Sequence, residues 1–551
     1  MDYFISIGLL ISIIILSLFL HKRKLSKKLK QLRDGWGKIP ESRIDLESIK
    51  LYYQFNKTNS FENSYCIDDG TWEDLDFDEI FTLINRTTTP IGAQYLYNLL
   101  RHPLLESELL NKRETLINVF SNKPALREKV YLALHRLEDK NAKYLPYSLW
   151  KPLPEKPLYA RIFPIISIIS FSVLLLVLLN YLHFSVIVPI FIFNLILRSF
   201  IKRKIDIYVN SFQYLGVLIS TADKIVAFKF DEFAEIQTIL KENLKDTRSI
   251  AQDIFALQFR DEFGLFEYFN IYFLLDISGF YSAIDKIRKN LTQLKAIYET
   301  IGSLDSLISI ASFRMHFNHF CHPLFIENNE KYRVKNIFNP LLQNPVSNSF
   351  EFNSKNILIT GSNMAGKTTF LKTLGVNAVL AQTINMSFSE YYETPFQKVL
   401  SSIGRMDNLV LGKSYYLAEV ESILRLLNAS KTESIHLFIL DEIFRGTNSV
   451  ERLAASIEVL KYLANNKDFV LVATHDLQLT EILNHEYANY HFREQVCVEG
   501  LEFDYKLHPG PSTTRNAIAL LDYVGYPESI IINASNRIKN NTIEQSKERS
   551  A

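Results

Sequence analysis

The 551-residue chain contains only three cysteines, Cys66, Cys321 and Cys497, and they lie far apart in the sequence. Their spacing matches neither a zinc site nor a disulfide framework, which is consistent with a protein of the reducing cytosol. An excess of charge of one sign is also absent, since 61 basic side chains balance 60 acidic ones. This balance argues against a broadly basic nucleic-acid binder, although a local basic surface such as residues 286–295 stays open. The sequence shows no internal repeat and no low-complexity tract.

Long hydrophobic runs, in contrast, occur in three places. Residues 3–20 form the first run, residues 162–179 the second, and residues 184–197, extended to residue 201, the third. Each approaches the roughly 20 apolar residues that a helix needs to cross a bilayer. A short polar turn separates the second run from the third, so these two runs together predict a helical hairpin.

Basic residues flank all three runs. They lie at residues 22–33 after the first run, at Arg161 before the second and at residues 198–204 after the third. The positive-inside rule therefore places these clusters in the cytoplasm. We expect a multi-pass protein of the cell (inner or plasma) membrane. Its anchor helix would cover residues 1–20 with the amino terminus outside, and its transmembrane hairpin would cover residues 158–204.

Three other interpretations of these runs stay open. The first run is compatible with a cleaved signal peptide, although a preceding basic region and a clear small-residue cleavage site are missing. The hairpin also fits the core of a soluble protein, although about forty nearly uncharged residues are hard to bury in that way. The basic residues 22–33 could bind DNA instead of marking topology and meeting anionic lipid.

A glycine loop follows the short apolar run at residues 357–359 and reads G-S-N-M-A-G-K-T-T. This is the P-loop pattern, in which the glycines let backbone N–H groups turn toward phosphate oxygens. The lysine reaches the terminal phosphates, the first threonine can bind Mg²⁺, and the following helix adds a favourable dipole. The strict pattern and its flanks disfavour a chance glycine loop. The predicted ATP-binding residues are Gly361, Ser362, Asn363, Met364, Ala365, Gly366, Lys367, Thr368 and Thr369.

A second apolar strand, residues 436–440, ends in Asp441 and Glu442, which is a Walker B pattern. We predict that Asp441 holds Mg²⁺ together with Thr368, directly or through water. Glu442 would orient and deprotonate the attacking water. Two adjacent carboxylates more often belong to a solvated loop, but here they end a buried strand downstream of a P-loop.

A third apolar strand, residues 469–473, is followed by Thr474 and His475. A polar side chain at this position could sense the γ-phosphate of ATP, so His475 joins Glu442 as a catalytic candidate. A lone histidine is usually structural, and this one counts only together with the other motifs. The alternation of strands and helices over residues 326–530 predicts an α/β domain with a parallel sheet.

The order of these motifs resembles one family, the MutS ATPases. The P-loop with its Asn-Met pair is similar to the family P-loop, and residues 440–449 resemble the family segment D-E-x-x-R-G-T-S. Residues 473–475 resemble its A-T-H segment. Further similar segments are residues 402–409, 412–419 and 505–524 and, more weakly, residues 87–104 and 299–307.

The resemblance implies a head-to-tail homodimer in which Ser414 of one subunit completes the ATP site of the other. It also implies that hydrolysis opens and closes helical arms, which in this family encircle double-stranded, mismatched or branched DNA. Some features depart from the family. We expect neither its mismatch-reading domain nor an appended nuclease domain, and residues 205–300 are short for two arms and a clamp. Ser402 and Glu451 stand where the family usually has arginine and aspartate, which leaves the control of the dimer interface open.

We therefore predict an α plus α/β fold and a membrane-anchored, MutS-like ATPase that uses ATP and Mg²⁺ and acts on DNA. The alternative is a membrane-tethered mechanochemical ATPase that acts on a protein or lipid partner without binding DNA. The predicted domains are an anchor helix (1–20), a basic juxtamembrane segment (21–70), a helical core in two parts (71–157 and 205–325), the transmembrane hairpin between them (158–204), a P-loop ATPase domain (326–530) and a polar tail (531–551).

Overall fold

The computed structural model describes most of the chain in separate stretches. The predicted anchor helix (1–20) lies outside the described residues except for Phe19, and so do residues 538–551 of the predicted tail. The described residues are 19, 22–39, 45–57, 65–254, 265–327, 331–353, 355–362, 365–404, 415–497, 500–512, 521 and 524–537.

Helices dominate the chain up to about residue 320, and strands alternate with helices after it, which confirms the predicted combination of α and α/β structure. The numbered α-helices in the described part are α1 (Leu46–Lys57), α2 (Asp69–Asp74), α3 (Phe77–Ile84), α4 (Pro90–Arg101), α5 (Ser107–Asn122), α6 (Pro124–Leu134), α7 (Leu145–Trp150), α8 (Ile162–Leu178), α9 (Ile187–Val226), α10 (Ala234–Asp253), α11 (Leu265–Phe273), α12 (Leu275–Lys289), α13 (Leu291–Arg314), α14 (Lys367–Ile384), α15 (Tyr415–Ala429), α16 (Ser449–Ala464) and α17 (Leu477–Ile482). Residues 22–35 and 528–537 are helical as well. The strands are β1 (Leu324–Phe325), β2 (Lys331–Ile337), β3 (Asn348–Asn353), β4 (Asn356–Thr360), β5 (Tyr391–Thr394), β6 (Lys398–Ile403), β7 (His436–Asp441), β8 (Phe469–Ala473), β9 (Tyr487–Cys497) and β10 (Gly500–Pro509).

Contacts within the chain divide it into two compact units. Unit 2 includes two short segments, 65–80 and 101–110. From sequence we assigned residues 65–70 to the juxtamembrane segment and the rest of both segments to the helical core. These segments join unit 2 through space and not through the order of the chain. Unit 1 comprises Met1–Ser64, Phe81–Leu100 and Asn111–Asn318, and unit 2 comprises Tyr65–Ile80, Arg101–Leu110 and His319–Ala551.

In unit 1, the carboxyl-terminal half of helix α13 is almost completely buried. The carboxylate of Asp305 on this helix accepts hydrogen bonds from the backbone N–H groups of Thr88 (3.0 Å) and Thr89 (2.8 Å). It thereby satisfies N–H groups at the start of α4, which have no partner within the helix. Gly92 is required beside it, because a Cβ there would lie 2.2 Å from Asp305 Oδ2. The two segments with the weaker family resemblance therefore pack against each other.

In the described part of unit 1, two helical stretches are long and apolar enough to cross a membrane, judged by length and composition. They are Leu158–Leu178, whose most apolar 18-residue window has a mean hydropathy of 2.4, and Phe184–Val226, whose most apolar window has a mean hydropathy of 2.1. Only 11% of the most apolar part of each is buried. This burial is far lower than a hairpin in the core of a soluble protein would show.

The second of these stretches does not end at the basic cluster that we took as the end of the hairpin. Helix α9 continues for 40 residues, from Ile187 to Val226, a length of about 60 Å at 1.5 Å per residue. Proline, which would break the helix, is absent after Pro189 in this stretch. The predicted boundary between residues 204 and 205 therefore lies inside one helix.

Unit 2 contains two β-sheets. In the six-stranded sheet the order is β10-β9-β4-β8-β7-β6, and all neighbours are parallel except the pair β9–β10. The four-stranded sheet, β1-β5-β2-β3, is mixed. The parallel sheet that we predicted is therefore limited to five contiguous strands, from β9 to the edge strand β6. We missed the antiparallel strands because β2, for example, alternates buried and exposed residues instead of forming an apolar run.

Strands β4, β7 and β8 are buried along their whole length, as expected for parallel strands that are covered on both faces. Ile359 of β4 pairs with Ala473 of β8, which in turn pairs with Asp441 of β7. The carboxyl ends of the three strands therefore lie side by side. The three predicted motifs follow these ends, at the edge where open α/β sheets bind their ligands.

Candidate nucleotide-binding site

The P-loop connects strand β4 to helix α14, as its sequence predicts. Gly361 has a φ of 137° and Gly366 a φ of 104°, a backbone region that side chains other than glycine rarely adopt. A Cβ on Gly361 would also lie only 3.0 Å from the carbonyl oxygen of Phe492. Helix α14 begins at Lys367, inside the P-loop motif. The predicted site residues Asn363 and Met364 lie outside the described residues.

Lys367 is almost completely buried, with 1% of its surface exposed. Its Nζ atom donates hydrogen bonds to the carbonyl oxygens of Gly361 (2.6 Å) and Ser362 (2.9 Å). Burial lowers the pKa of Lys367 to about 8, although the neighbouring carboxylates of Glu442 and Asp441 favour its charged form. The ammonium group thus lies across the loop with uncharged partners, where phosphate oxygens could replace the two carbonyls.

Thr368 and Asp441, which we predicted to hold Mg²⁺ together, are in direct contact. The Thr368 hydroxyl donates a hydrogen bond of 2.6 Å to Asp441 Oδ2. Asp441 is buried, and its Oδ1 atom has no hydrogen-bond partner, with Arg445 Nη2 3.6 Å away. A hydroxyl and an unsatisfied carboxylate oxygen are ligands that Mg²⁺ accepts, together with water and phosphate oxygens. Among the described residues no group of three or more His, Cys, Asp or Glu side chains could hold a metal alone.

Glu442 lies directly after strand β7 in a left-handed backbone conformation (φ 51°), and its N–H group donates to the carbonyl of Ala473 (2.9 Å). One carboxylate oxygen is 2.5 Å from His475 Nε2, and the other is 2.6 Å from Arg445 Nε. Burial alone would raise the pKa of Glu442, but His475, Arg445 and Lys367 outweigh it and hold the pKa below its usual value. Glu442 is therefore ionised and oriented on both sides.

The loop that carries His475 is itself held in place. The hydroxyl of Thr474 accepts a hydrogen bond from the backbone N–H of Asp476 (3.0 Å). The Asp476 carboxylate in turn accepts two hydrogen bonds from the Arg452 guanidinium, at 2.9 and 3.2 Å. His475, with 40% of its side chain exposed, therefore contacts Glu442 from a loop at the end of β8 that these hydrogen bonds hold in place.

A cavity of about 460 Å³ opens beside the start of helix α14. Its volume and its mixture of aromatic, aliphatic and amide side chains suit a nucleotide base. Gly366, Thr368 and Thr369 of the predicted P-loop line the cavity. The sequence does not single out the other lining residues, because Phe492 and Tyr505, for example, lie more than 100 residues beyond the P-loop. The lining residues are Ile337, Asn339, Leu342, Gln343, Asn344, Val346, Asn348, Gly366, Thr368, Thr369, Phe370, Thr373, Phe492 and Tyr505.

The structure therefore brings Lys367, Thr368, Asp441, Glu442 and His475 to one edge of the sheet. Arg445, which the sequence interpretation quoted only as part of a motif, is a further member of this group. Ser414, the residue expected to act on the opposing subunit, lies outside the described residues.

Comparison with known proteins agrees with this arrangement. Residues 357–542 match the sequence model of the family described as MutS domain V. The DNA mismatch repair protein MutS of Thermus thermophilus is 28% identical over 251 residues, covering 45% of this chain and 30% of that protein. MutS of Thermus aquaticus is 32% identical over 190 residues (34% and 23%), and MutS of Clostridium tetani is 28% identical over 291 residues (50% and 32%). The chain thus spans about a third or less of the length of these curated relatives. On its matched carboxyl-terminal part, the chain belongs to the MutS family.

Proposed function

We propose that this chain binds ATP with Mg²⁺ and hydrolyses it at the edge formed by strands β4, β7 and β8. The observation that carries the proposal is the convergence of a buried P-loop lysine, a hydroxyl–carboxylate pair and an ionised glutamate. The uncharged hydrogen-bond partners of Lys367 support phosphate binding, because the terminal phosphates would give the ammonium group negatively charged partners in their place.

Each residue has a distinct part in this proposal. Thr368 and Asp441 would hold Mg²⁺, which neutralises charge that develops on the phosphates. Glu442 would orient the attacking water and accept its proton, and His475 would hold the Glu442 carboxylate in position. Arg445 and His475 each contact one Glu442 oxygen, which leaves further lone pairs on the carboxylate that could accept a proton from water.

The test is the rate of phosphate release by the full-length protein in nanodiscs, with and without Mg²⁺. Glu442→Gln should lower turnover by about a hundredfold or more while ATP still binds, because the amide keeps the shape but accepts no proton. Glu458→Gln, an exposed glutamate on helix α16, is the matched control and should be neutral. Normal turnover by Glu442→Gln would show that another group is the base.

We also propose that the protein acts as a head-to-tail homodimer in which Ser414 contacts the nucleotide of the opposing subunit. Family membership supports this arrangement. Ser414→Ala should then reduce turnover and leave ATP binding by single subunits intact. Equal loss of binding and turnover would argue that Ser414 acts within its own subunit.

A further proposal concerns the location of the protein. We propose that residues 158–204 form a transmembrane hairpin and that the ATPase domain lies in the cytoplasm. The length, apolar composition and low burial of Leu158–Leu178 and Phe184–Val226 support it, and so do the basic residues at their ends. Resistance of the protein to alkaline extraction from isolated membranes tests insertion. Release into the supernatant would contradict it.

DNA is one candidate substrate, because the relatives carry the name DNA mismatch repair protein. A partner other than DNA is the second candidate, and the charge of one region favours it. Residues 231–299 carry twelve acidic and eight basic side chains, and Lys286 and Arg248 are paired with Asp253 and Asp223, each at 2.7 Å. DNA binding depends on unpaired basic side chains that replace counterions.

The two candidates differ in one measurement. Turnover should be compared with and without homoduplex, mismatched and branched DNA at low salt, where electrostatic binding is strongest. Stimulation by any of them would select DNA. Turnover that is indifferent to all three would select a protein or lipid partner.

A further inference from the structure

Helix α11 (Leu265–Phe273) is an apolar element that is too short to cross a bilayer. Its nine residues span about 13 Å at 1.5 Å per residue. Two adjacent aromatic residues on it, Tyr268 and Phe269, are 61% and 52% exposed. Adjacent exposed aromatic rings on a helix are typical of a surface that another apolar phase or a partner covers.

The exposed face of α11 is continuous with the two apolar stretches of unit 1. Tyr268 stacks on Phe191 of helix α9, with ring centroids 6.3 Å apart. At the other end, Phe273 lies 6.5 Å from Phe171 of helix α8. Whatever surrounds the exposed side chains of α8 and α9 therefore also reaches α11.

The end of α11 is satisfied by side chains from these two helices. The last carbonyl groups of a helix have no partner within it and normally bind water. Here Asn194 Nδ2 donates to the carbonyl of Tyr272 (2.5 Å), and the Ser167 hydroxyl donates to the carbonyl of Phe273 (2.5 Å). Asn194 is fully buried. A helix end that protein side chains satisfy in this way suits an environment without water, as in a bilayer.

Helix α11 runs along α9 toward the end of the hairpin that carries Arg198. Tyr268 contacts Phe191, the Tyr272 carbonyl accepts from Asn194, and Asp276 at the start of α12 pairs with Arg198 at 2.7 Å, so the contacts advance in step along both segments. The Arg198 guanidinium also pairs with Glu267 in the first turn of α11 (2.8 Å). Arg198 begins the basic stretch up to Lys204 that we placed at the cytoplasmic surface.

We propose that α11 lies against the hairpin within the cytoplasmic leaflet of the membrane, and that the occupant of its exposed aromatic face is the phospholipid bilayer. The proposal rests on the proposed transmembrane hairpin, which would support α11 from one side. Helix α12 begins one residue after α11, at a turn where Leu274 has a φ of 49°. Movement of the following helices would therefore be coupled to the membrane surface.

The test measures the depth of single labelled positions in the full-length protein. Cys66, Cys321 and Cys497 are replaced by serine, and one new cysteine carries an environment-sensitive fluorophore in nanodiscs that contain phospholipids brominated on their acyl chains. The tested substitution is Phe269→Cys. Phe193→Cys, 59% exposed on α9, is the membrane reference, and Ile239→Cys, 39% exposed on α10, is the reference outside the membrane.

The label at position 269 should show blue-shifted emission and at least about half of the quenching seen at position 193, as expected for a position within the cytoplasmic leaflet. The label at position 239 should show neither. Quenching at 193 without quenching at 269 would overturn the proposed position of α11 and leave the hairpin intact. Absence of quenching at 193 would instead overturn the hairpin itself.

A second variant tests the contact that holds α11. Asn194→Leu removes the donor to the Tyr272 carbonyl, so it should reduce quenching at position 269 and leave quenching at position 193 unchanged. Ile196→Leu, at an exposed position of the same helix, is the control. Unchanged quenching at 269 in Asn194→Leu would overturn the role of Asn194.

Discussion

Each of the two units contains a buried cation, and their partners differ. Lys367 in unit 2, with 1% of its surface exposed, donates to two uncharged carbonyl oxygens. Arg198 in unit 1, with 7% exposed, pairs with the carboxylates of Glu267 and Asp276. Burial of a charge is costly unless an opposite charge compensates it. Arg198 is compensated within the protein, whereas the closest partners of Lys367 leave its charge available to an anion.

The difference distinguishes a ligand site from a structural ion pair that links helices. At the P-loop, phosphate oxygens would replace two neutral carbonyl acceptors with charged ones. ATP binding would therefore be favoured, because it compensates the buried charge of Lys367, which the carbonyls do not neutralise in the free protein. At Arg198, an incoming anion would have to displace carboxylates that are already in place. Of these two cations, the one with uncharged partners is therefore the candidate for ligand binding, and the one with carboxylate partners stabilises the packing of helices.

The largest expected effect is the loss of stability when the buried Arg198–Asp276 ion pair is broken. Arg198→Leu would leave the carboxylate of Asp276, which is 4% exposed, without its cation, and breaking a buried pair typically costs about 3–5 kcal/mol. We expect a clear fall in the thermal unfolding temperature of the protein in nanodiscs. The double variant Arg198→Leu/Asp276→Leu should recover most of the loss, because apolar residues can replace a buried pair.

Arg248 offers the control for this prediction. It pairs with Asp223 at the surface of the same unit, and exposed pairs contribute only about 0–1 kcal/mol. Arg248→Leu should therefore barely change the unfolding temperature. If Arg198→Leu changed the unfolding temperature equally little, the Arg198–Asp276 pair would not stabilise the fold, and the proposed difference between the two buried cations would be wrong.

The next effect is on the ligand site. Lys367→Ala should weaken ATP binding by about a hundredfold, or about 2.7 kcal/mol, because the cation on the phosphates is lost. Equilibrium binding of a fluorescent ATP analogue measures it. Lys372→Ala, on the same helix but paired with Asp76 at 2.5 Å, should bind normally. Equal losses in both variants would indicate damage to helix α14 instead of a loss of phosphate contacts.

A smaller effect is the dependence of ATP affinity on pH, which the lysine at the ligand site should produce. The pKa of Lys367 is lowered to about 8 by burial, and bound phosphates would raise it again. Above about pH 8 the free protein loses this proton and ATP binding must recapture it, so affinity should fall by up to about tenfold per pH unit. Below about pH 7.5 affinity should be constant. Lys367→Arg, whose side chain keeps its charge, should remove this dependence, and a slope that persists in Lys367→Arg would assign the titration to another group.

The core of the ligand site could be predicted from sequence because each part is local. The P-loop, the Asp441–Glu442 pair and His475 all follow apolar strands, and parallel strands bring such ends to one edge. Arg445 could also have been found, because it lies only three and four residues beyond the carboxylates that it contacts. Its position on a tight turn, and not on a helix, hid that contact.

Other features depend on contacts between residues that are distant in the chain. The base-sized cavity joins Asn339 to Phe492 and Tyr505, and local spacing cannot reveal such a set. The same holds for Arg198, because the basic cluster that contains it was read only as a signal of topology. The length of α9 was missed for a different reason, since charged residues interrupt an apolar run without ending a helix.

The smallest effect concerns the cavity beside the P-loop. Tyr505 lines it, and a Cβ on Gly366 would lie 3.2 Å from the Tyr505 ring, so the ring closes the cavity near the phosphate end of the site. Loss of one aromatic contact typically costs about 1 kcal/mol, so Tyr505→Ala should weaken ATP binding about fivefold, and Tyr505→Phe much less. Binding of inorganic triphosphate, which has no base, should not change. Tyr526→Ala, a tyrosine that is 49% exposed and does not line the cavity, is the control. Equal weakening of ATP and triphosphate would place Tyr505 on the phosphates, where it would assist Lys367 instead of contacting the base.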